Sequence, residues 1–157
     1  MFLDLGTAYA GESRDSTYPG TIDTLAWSWG MSNSTTHLSG AGGVGTNKFQ
    51  DLVLTKYVDK SSPLLMLACA RGTHITTGKL IVRKAGPVGP TKYIEITLTD
   101  VLVASISTGG SGGEDRLTET ISLNFGRVQF DYFPVLDNGA IGPAVRFRWD
   151  IPANATY

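Results

Sequence analysis

Five residues, Gly109-Gly-Ser-Gly-Gly113, followed at once by Glu114 and Asp115, are the nearest this chain comes to a recognisable chemical loop. A glycine-rich turn cradles phosphate when its backbone N–H groups converge and a Lys-Ser/Thr pair follows. No such pair follows here, and two carboxylates would repel the anion. Glu114 and Asp115, with Glu119, could hold calcium, but they lack the alternating oxygen ligands of a recognised loop, and a solvated or interfacial charge cluster is the reading adopted. Cys69, the sole cysteine, lies in an apolar run and reads as a buried structural thiol, with no base that the sequence pairs with it. His37 and His74 show no ligand spacing. The expectation is therefore no catalytic residue, no metal and no cofactor. The glycines then call for unusual dihedrals or for close approach by another backbone.

Three further groups can be weighed. Arg146 and Arg148 sit two apart on one strand face, where they could meet a carboxylate across a subunit boundary; simple solvation is the reading preferred. Asp59-Lys60 and Arg83-Lys84 read as ordinary surface charges. Ser28, between Trp27 and Trp29, falls on a face with Ala26 and Gly30, chosen for size at a sheet interface or for contact with an enclosed ligand.

The elements that would position these groups are mostly strands. Leu25, Trp27, Trp29 and Met31 alternate with small residues, so the aromatic face is expected to be buried and the small face to lie close to something else. Strands are also expected over 49–58, 79–84 and 93–106, and a last one where Val145, Phe147, Trp149 and Ile151 alternate with charges. After the glycine tip, Ile121, Leu123 and Phe125 are apolar at odd numbers, whereas Val128, Phe130 and Tyr132 are apolar at even ones. A bulge at Gly126 would reverse the parity, in a bent strand shared between two sheets of a barrel or sandwich. Ser62 before Pro63 reads as a helix N-cap, with Leu64 to Ala70 helical and Gly72 as the stop. That short apolar helix must pack over a sheet edge or barrel mouth. Ser39 to Gly45 is a glycine-rich excursion between strands.

At 157 residues with 13 basic and 14 acidic side chains, one domain is expected over 1–157, able to bury a core without disulfides. Balanced charge argues against a nucleic-acid or anionic-membrane footprint. The opening Met1-Phe-Leu-Asp4 carries neither a basic nor an apolar leader region, and no run reaches membrane-spanning length. Synthesis in the cytoplasm, with any export by a route other than a cleavable signal, is the expectation.

With these residues in view, the chain resembles the haemolysin-coregulated protein (Hcp) family, the inner-tube subunits of bacterial type VI secretion systems. The resemblance rests on Asp23-x-Leu25-Ala-Trp-Ser-Trp-Gly-Met-Ser32, on Gln50-Asp-Leu with Thr55-Lys-Tyr-Val-Asp-Lys-Ser61 and Pro63, and on Arg83-Lys-Ala-Gly86. It rests also on the thirteen residues from Ser107 to Glu119, extended by Leu123-Asn-Phe125 and Tyr132-x-Pro134. It implies a mainly β protein, a two-sheet barrel with one short helix and extended glycine-rich loops, without enzymatic activity. It further implies homohexameric rings that stack into a tube, meet sheath and spike components, carry small effector proteins in the lumen and leave the cell through the apparatus. On that basis Ala26, Ser28 and Gly30 become candidates for lumen contact. Gly40, Gly42, Gly43, Val44, Gly45, Ser111, Gly112, Gly113, Glu114 and Asp115 become candidates for ring stacking or subunit contact. A monomeric ligand-binding or lectin-like barrel and a phage-type tail tube are the alternatives, the first disfavoured because a pocket needs a few convergent polar groups.

Overall fold

The computed structural model describes residues 1–34, 47–86, 89–113 and 115–157. His37, Gly40, Gly42, Gly43, Val44, Gly45 and Glu114, all singled out above, lie outside the described residues. The elements are β1 (Phe2–Asp4), β2 (Ile22–Ser28), β3 (Met31–Asn33), β4 (Asn47–Phe49), β5 (Leu52–Tyr57), α1 (Ser62–Arg71), β6 (Ile75–Lys84), β7 (Thr91–Thr108), β8 (Thr118–Tyr132) and β9 (Val145–Asp150).

All pairings are antiparallel, in the order β5-β2-β1-β6-β7-β8-β9, and a further β5–β8 pairing closes six of these strands into a barrel. β3 and β4 pair with each other. The core is the apolar side of these strands: Leu3, Leu52, Leu54, Leu80, Ile96, Val101, Ile121, Leu123 and Val128 are at most 1% exposed. Each such side chain contributes about 1.5–3 kcal/mol by leaving water.

The expected bent strand is present twice. β7 and β8 run side by side for most of their length; their outer halves pair with β6 and β9, and their halves near the glycine tip with each other and with β5. The reversal of parity has a different origin from the one expected at Gly126. Thr99 faces Arg127 and Val101 faces Phe125 in one unbroken register, so no residue is inserted there. Instead both strands turn over together, since burial passes from Leu98 to Val101 in β7 and from Phe125 to Val128 in β8. Asp100, opposite Gly126, has φ 57°, and a left-handed residue within a strand presents the following side chains to the other face. The actual irregularity of the pair falls between Val103 and Ser105.

The aromatic strand needs a similar correction. The β2–β5 register shifts between Thr24 and Ala26, so Leu25 is the extra residue and is 41% exposed, and Met31 is also exposed. Before that bulge Ile22 and Thr24 point inward; after it Trp27 and Trp29 do. Val145, assigned by alternation to the last strand's inner face, is 64% exposed.

Helix α1 starts one residue earlier than its Ser-Pro signal suggested. Ser61 occupies the N-cap position without a side-chain cap bond, and Gly72 ends the helix at φ 61° with its N–H on the Ala68 and Cys69 carbonyls. Leu65 and Ala68 join the core, and the helix packs on β7.

Close backbone approach by a neighbour occurs at Gly11, not at Gly126. A Cβ on Gly11 would sit 2.5 Å from Thr21 O and 2.7 Å from Ile22 Cα, whereas on Gly126 it would meet nothing nearer than 3.5 Å. Gly11→Ala is therefore expected to lose roughly 1–3 kcal/mol in urea unfolding, because backbone must move. Gly126→Ala is expected to stay within about 1 kcal/mol; equal losses would contradict this steric account.

Candidate functional site

The most unusual surface is a four-stranded wall in the order β2–β5–β8–β7, built from the ends of β7 and β8 that flank the glycine tip. Its registers align the side chains into rows. Ser28, Val53, Ser122 and Ser105 lie opposite one another across the four strands, and Ala26, Thr55, Thr120 and Ser107 form the next row. Between them runs the inward row Trp27, Leu54, Ile121 and Ile106. The outward rows are small and carry no ionisable group, whereas a solvated sheet face ordinarily shows Lys and Glu. Ser28, Ala26, Thr120, Ser105 and Ser107 are exposed, and Val53, Thr55 and Ser122 are half-buried. Of the hydroxyls, that of Ser122 donates to Asp51 Oδ2 at 2.8 Å, and Asn124 Nδ2 donates to the other Asp51 oxygen at 2.8 Å.

Among the described residues, both margins of the wall are open. Beyond Thr24, β2 pairs only with β5, because β1 meets it at Ile22 and Asp23. Beyond Val101, β7 pairs only with β8, because β6 reaches no further than Val101.

Two charges of the wall's central strands are turned inside. Lys56 of β5 and Glu119 of β8 are fully buried, with Lys56 Nζ 2.6 Å from Glu119 Oε1. Tyr57 O at 2.7 Å, Asp59 Oδ1 at 3.0 Å and Ser62 Oγ at 3.1 Å complete four acceptors for three protons. The Ser62 hydroxyl donates to the same Glu119 oxygen and accepts the Asp59 N–H, while Glu119 Oε2 has no partner among the described residues. This hub ties β5, β8 and the start of α1 together. It also corrects two expectations. Glu119 does not share a site with Asp115 but faces the interior, and the Asp59 side chain is only 5% exposed.

Arg83 is likewise no simple surface charge, since its guanidinium lies over the Phe2 and Tyr18 rings and pairs with Asp15 at 2.7 Å. Arg146 keeps 43% of its side chain exposed, as expected of a solvated residue, and pairs with Asp131 on the adjacent strand of its own chain. Arg148 reaches the Tyr157 carbonyl at 3.4 Å and lies over the Tyr157 ring. His74 pairs with exposed Asp100, and Cys69 is half-buried on α1. Among the described residues no three His, Cys, Asp or Glu side chains gather into a metal site, and no helix is long and apolar enough to cross a membrane.

At the tip, Gly113 has φ 106° and a Cβ on Gly110 would meet Leu117 Cδ2 at 2.5 Å, so those two glycines answer demands within the chain. Gly109 and Gly112 meet nothing within 4 Å. Ser111, Gly112, Gly113 and Asp115 are exposed, and Gly30 is half-buried, its carbonyl accepting the Gln50 N–H rather than standing in the wall rows. The wall partners of Ser28 were missed in the sequence, although period-two hydroxyls at Ser105/Ser107 and Thr118/Thr120/Ser122 carried the signal. A separate groove of about 370 Å³ between β3–β4 and β9, lined by Met31, Asn47, Phe49, Phe147 and Trp149, is where a small-ligand reading would place its pocket.

Three carboxyls are held below their usual value. In Asp15 the Thr17 N–H is the main cause, and in Asp150 the Ala153 N–H, with Arg83 and Arg127 assisting respectively. Burial raises the Asp131 carboxyl, but hydrogen bonds from Arg146 and Gln129 outweigh it. A folded-state value below the unfolded one means that the unfolded chain binds more protons on acidification. The stabilisation is thus present above about pH 4, the ordinary aspartate value, and is lost as pH falls through the lowered values. The melting temperature is expected to drop below about pH 4, and Asp131→Asn to flatten that acid limb; a limb of unchanged steepness in the variant would refute the assignment.

Comparison with known proteins gives a consistent likeness. A family model described as type VI secretion system effector, Hcp, matches residues 2–132. Protein hcp1 of Pseudomonas aeruginosa is 53% identical over 156 residues, covering 98% of this chain and 96% of that one. A solved structure of a type six secretion system protein superposes with a TM-score of 0.89 at 28% identity, over 99% of this chain and 98% of the other. Hcp1 from Salmonella typhimurium gives 0.81 at 32% identity, over 99% and 97%.

Proposed function

Since the chain belongs to the Hcp family of type VI secretion proteins, we propose that it is a structural tube subunit whose copies join side by side into homohexameric rings. The observation that carries this reading is the wall with two open margins. The free β2 margin of one copy and the free β7 margin of the next supply complementary edges, so that the sheet continues from copy to copy. Such a contact is head-to-tail, and a head-to-tail contact closes into a ring when its angle divides the circle. The small-residue face, with Ser28 and Ala26, then lines the lumen and holds small effector proteins. The exposed tip at Ser111, Gly112, Gly113 and Asp115 serves ring-to-ring contact, together with the 39–45 excursion and Glu114. Rings stack into a tube inside a sheath and beneath a spike. Export then proceeds through the apparatus from bacterial cytoplasm. No catalytic step enters this role.

Light scattering and electron microscopy of the purified chain test it. Rings of uniform diameter are expected, and Ser28→Gln is expected to leave them intact while at least halving retention of a lumenal effector, because a longer side chain projects from the wall. A chain that stays monomeric at high concentration would overturn the reading and favour the small-ligand alternative at the aromatic groove.

A further inference from the structure

We infer that the wall holds its cargo through neutral hydrogen bonds and not through charge, so that its partner is the uncharged hydroxyl- and amide-bearing surface of a small folded protein. This rests on the lumen assignment proposed above. The wall's own chemistry leaves little else. Its exposed rows hold only hydroxyls, methyls and one isopropyl group, and the hydroxyls of Ser28, Thr55, Ser105, Ser107 and Thr120 have no partner among the described residues. Each can donate one bond and accept two.

The placement of charge points the same way. Lys56 and Glu119 belong to the central strands of the wall, yet both are turned into the barrel and neutralise each other there, with both side chains at 0% exposure. Asp51, at one end of the rows, has both oxygens occupied by Ser122 and Asn124. At the other end the Arg116 guanidinium lies 3.8 Å from the centre of the Tyr57 ring. Among the described residues, the span between these ends presents no ionisable side chain. A charged cargo surface would leave water there without a counter-charge, whereas amides and hydroxyls exchange water for wall hydroxyls at little net change. Binding of this kind is insensitive to ionic strength, since screening acts on charges.

The test uses the full chain in its assembled form and three versions of one small helical protein. One version has a Ser/Thr/Asn/Gln-rich surface, one carries surface Lys and one surface Glu. Co-elution is measured at about 50 and about 500 mM salt, and the same fractions are imaged. The neutral version is expected to be retained most, with less than about a twofold change between the two salts. Thr120→Lys should shift preference to the Glu version and make its retention fall with salt. Rings that prefer either charged version, or that retain none of the three, overturn the inference while leaving the tube reading standing. Absence of rings in the images overturns the tube reading and this inference with it.

Discussion

Replacing Lys56 with Met is expected to lower stability by about 3–5 kcal/mol, the usual penalty for leaving one member of a buried ion pair alone. Glu119 would keep its place at 0% exposure with only the Ser62 hydroxyl on Oε1 and nothing on Oε2. At roughly 2–4 °C per kcal/mol for a chain of this size, the melting temperature should fall by roughly 6–20 °C. The double variant Lys56→Met with Glu119→Leu separates this account from simple loss of packing. Removing both charges also removes the unsatisfied oxygen, so the double variant is expected to recover most of the loss and could exceed the parent. A double variant as unstable as the single one would show that the hub's geometry, not its charge balance, supports the barrel. Asp59 and Ser62 have lesser roles, since each shares Lys56 with other acceptors.

Trp29→Ala is expected to cost about 3 kcal/mol, at the lower end for a large aromatic because the side chain is only half-buried. Its ring lies 6.3–6.5 Å, centre to centre, from Phe49, Phe125, Phe130 and Phe147, and its Nε1–H donates to Gln50 O at 3.0 Å. Four elements, β4, β8, β9 and the end of β2, therefore meet on one indole. Trp29→Phe keeps an aromatic contact but forfeits the Gln50 bond, so it should lose roughly 1 kcal/mol more than a packing change alone. Chemical denaturation of the three proteins checks the order. A Trp29→Ala protein within about 0.5 kcal/mol of the parent would mean that the aromatic group closes over the gap without it.

Much of the architecture was legible because strand periodicity is a local property. The last strand, the glycine stop at Gly72 and the long strands on either side of the tip follow from alternation and turn chemistry alone. What alternation could not locate were the places where it breaks. Leu25 looked like a member of the Trp27 and Trp29 face, and only its pairing with β5 reveals the bulge that puts it outside. At Gly126 the sequence displayed the parity change but not its cause, which lies across the strand pair in the backbone of Asp100. No pattern within β8 can report a dihedral in β7.

Charged residues show the same division. Glu119 was read with the tip and Asp59 with the surface, and Lys56 was not singled out as a charge. Their burial is decided by two strands and a helix start that converge from positions 57 and 63 residues apart. Arg146 was read as solvated, and its Asp131 partner was not legible, since Asp131 comes beside it only through the β8–β9 register.

The sequence by itself determined the family and the strand-rich class, because motifs and period-two burial are written in consecutive residues. The tertiary structure alone decided that hydroxyls from four separate strands make one neutral wall, its two margins free among the described residues, and that Lys56 and Glu119 of its central strands face inward. Register between distant strands is set by the whole closed barrel, and which face a side chain takes changes with every bulge along the way.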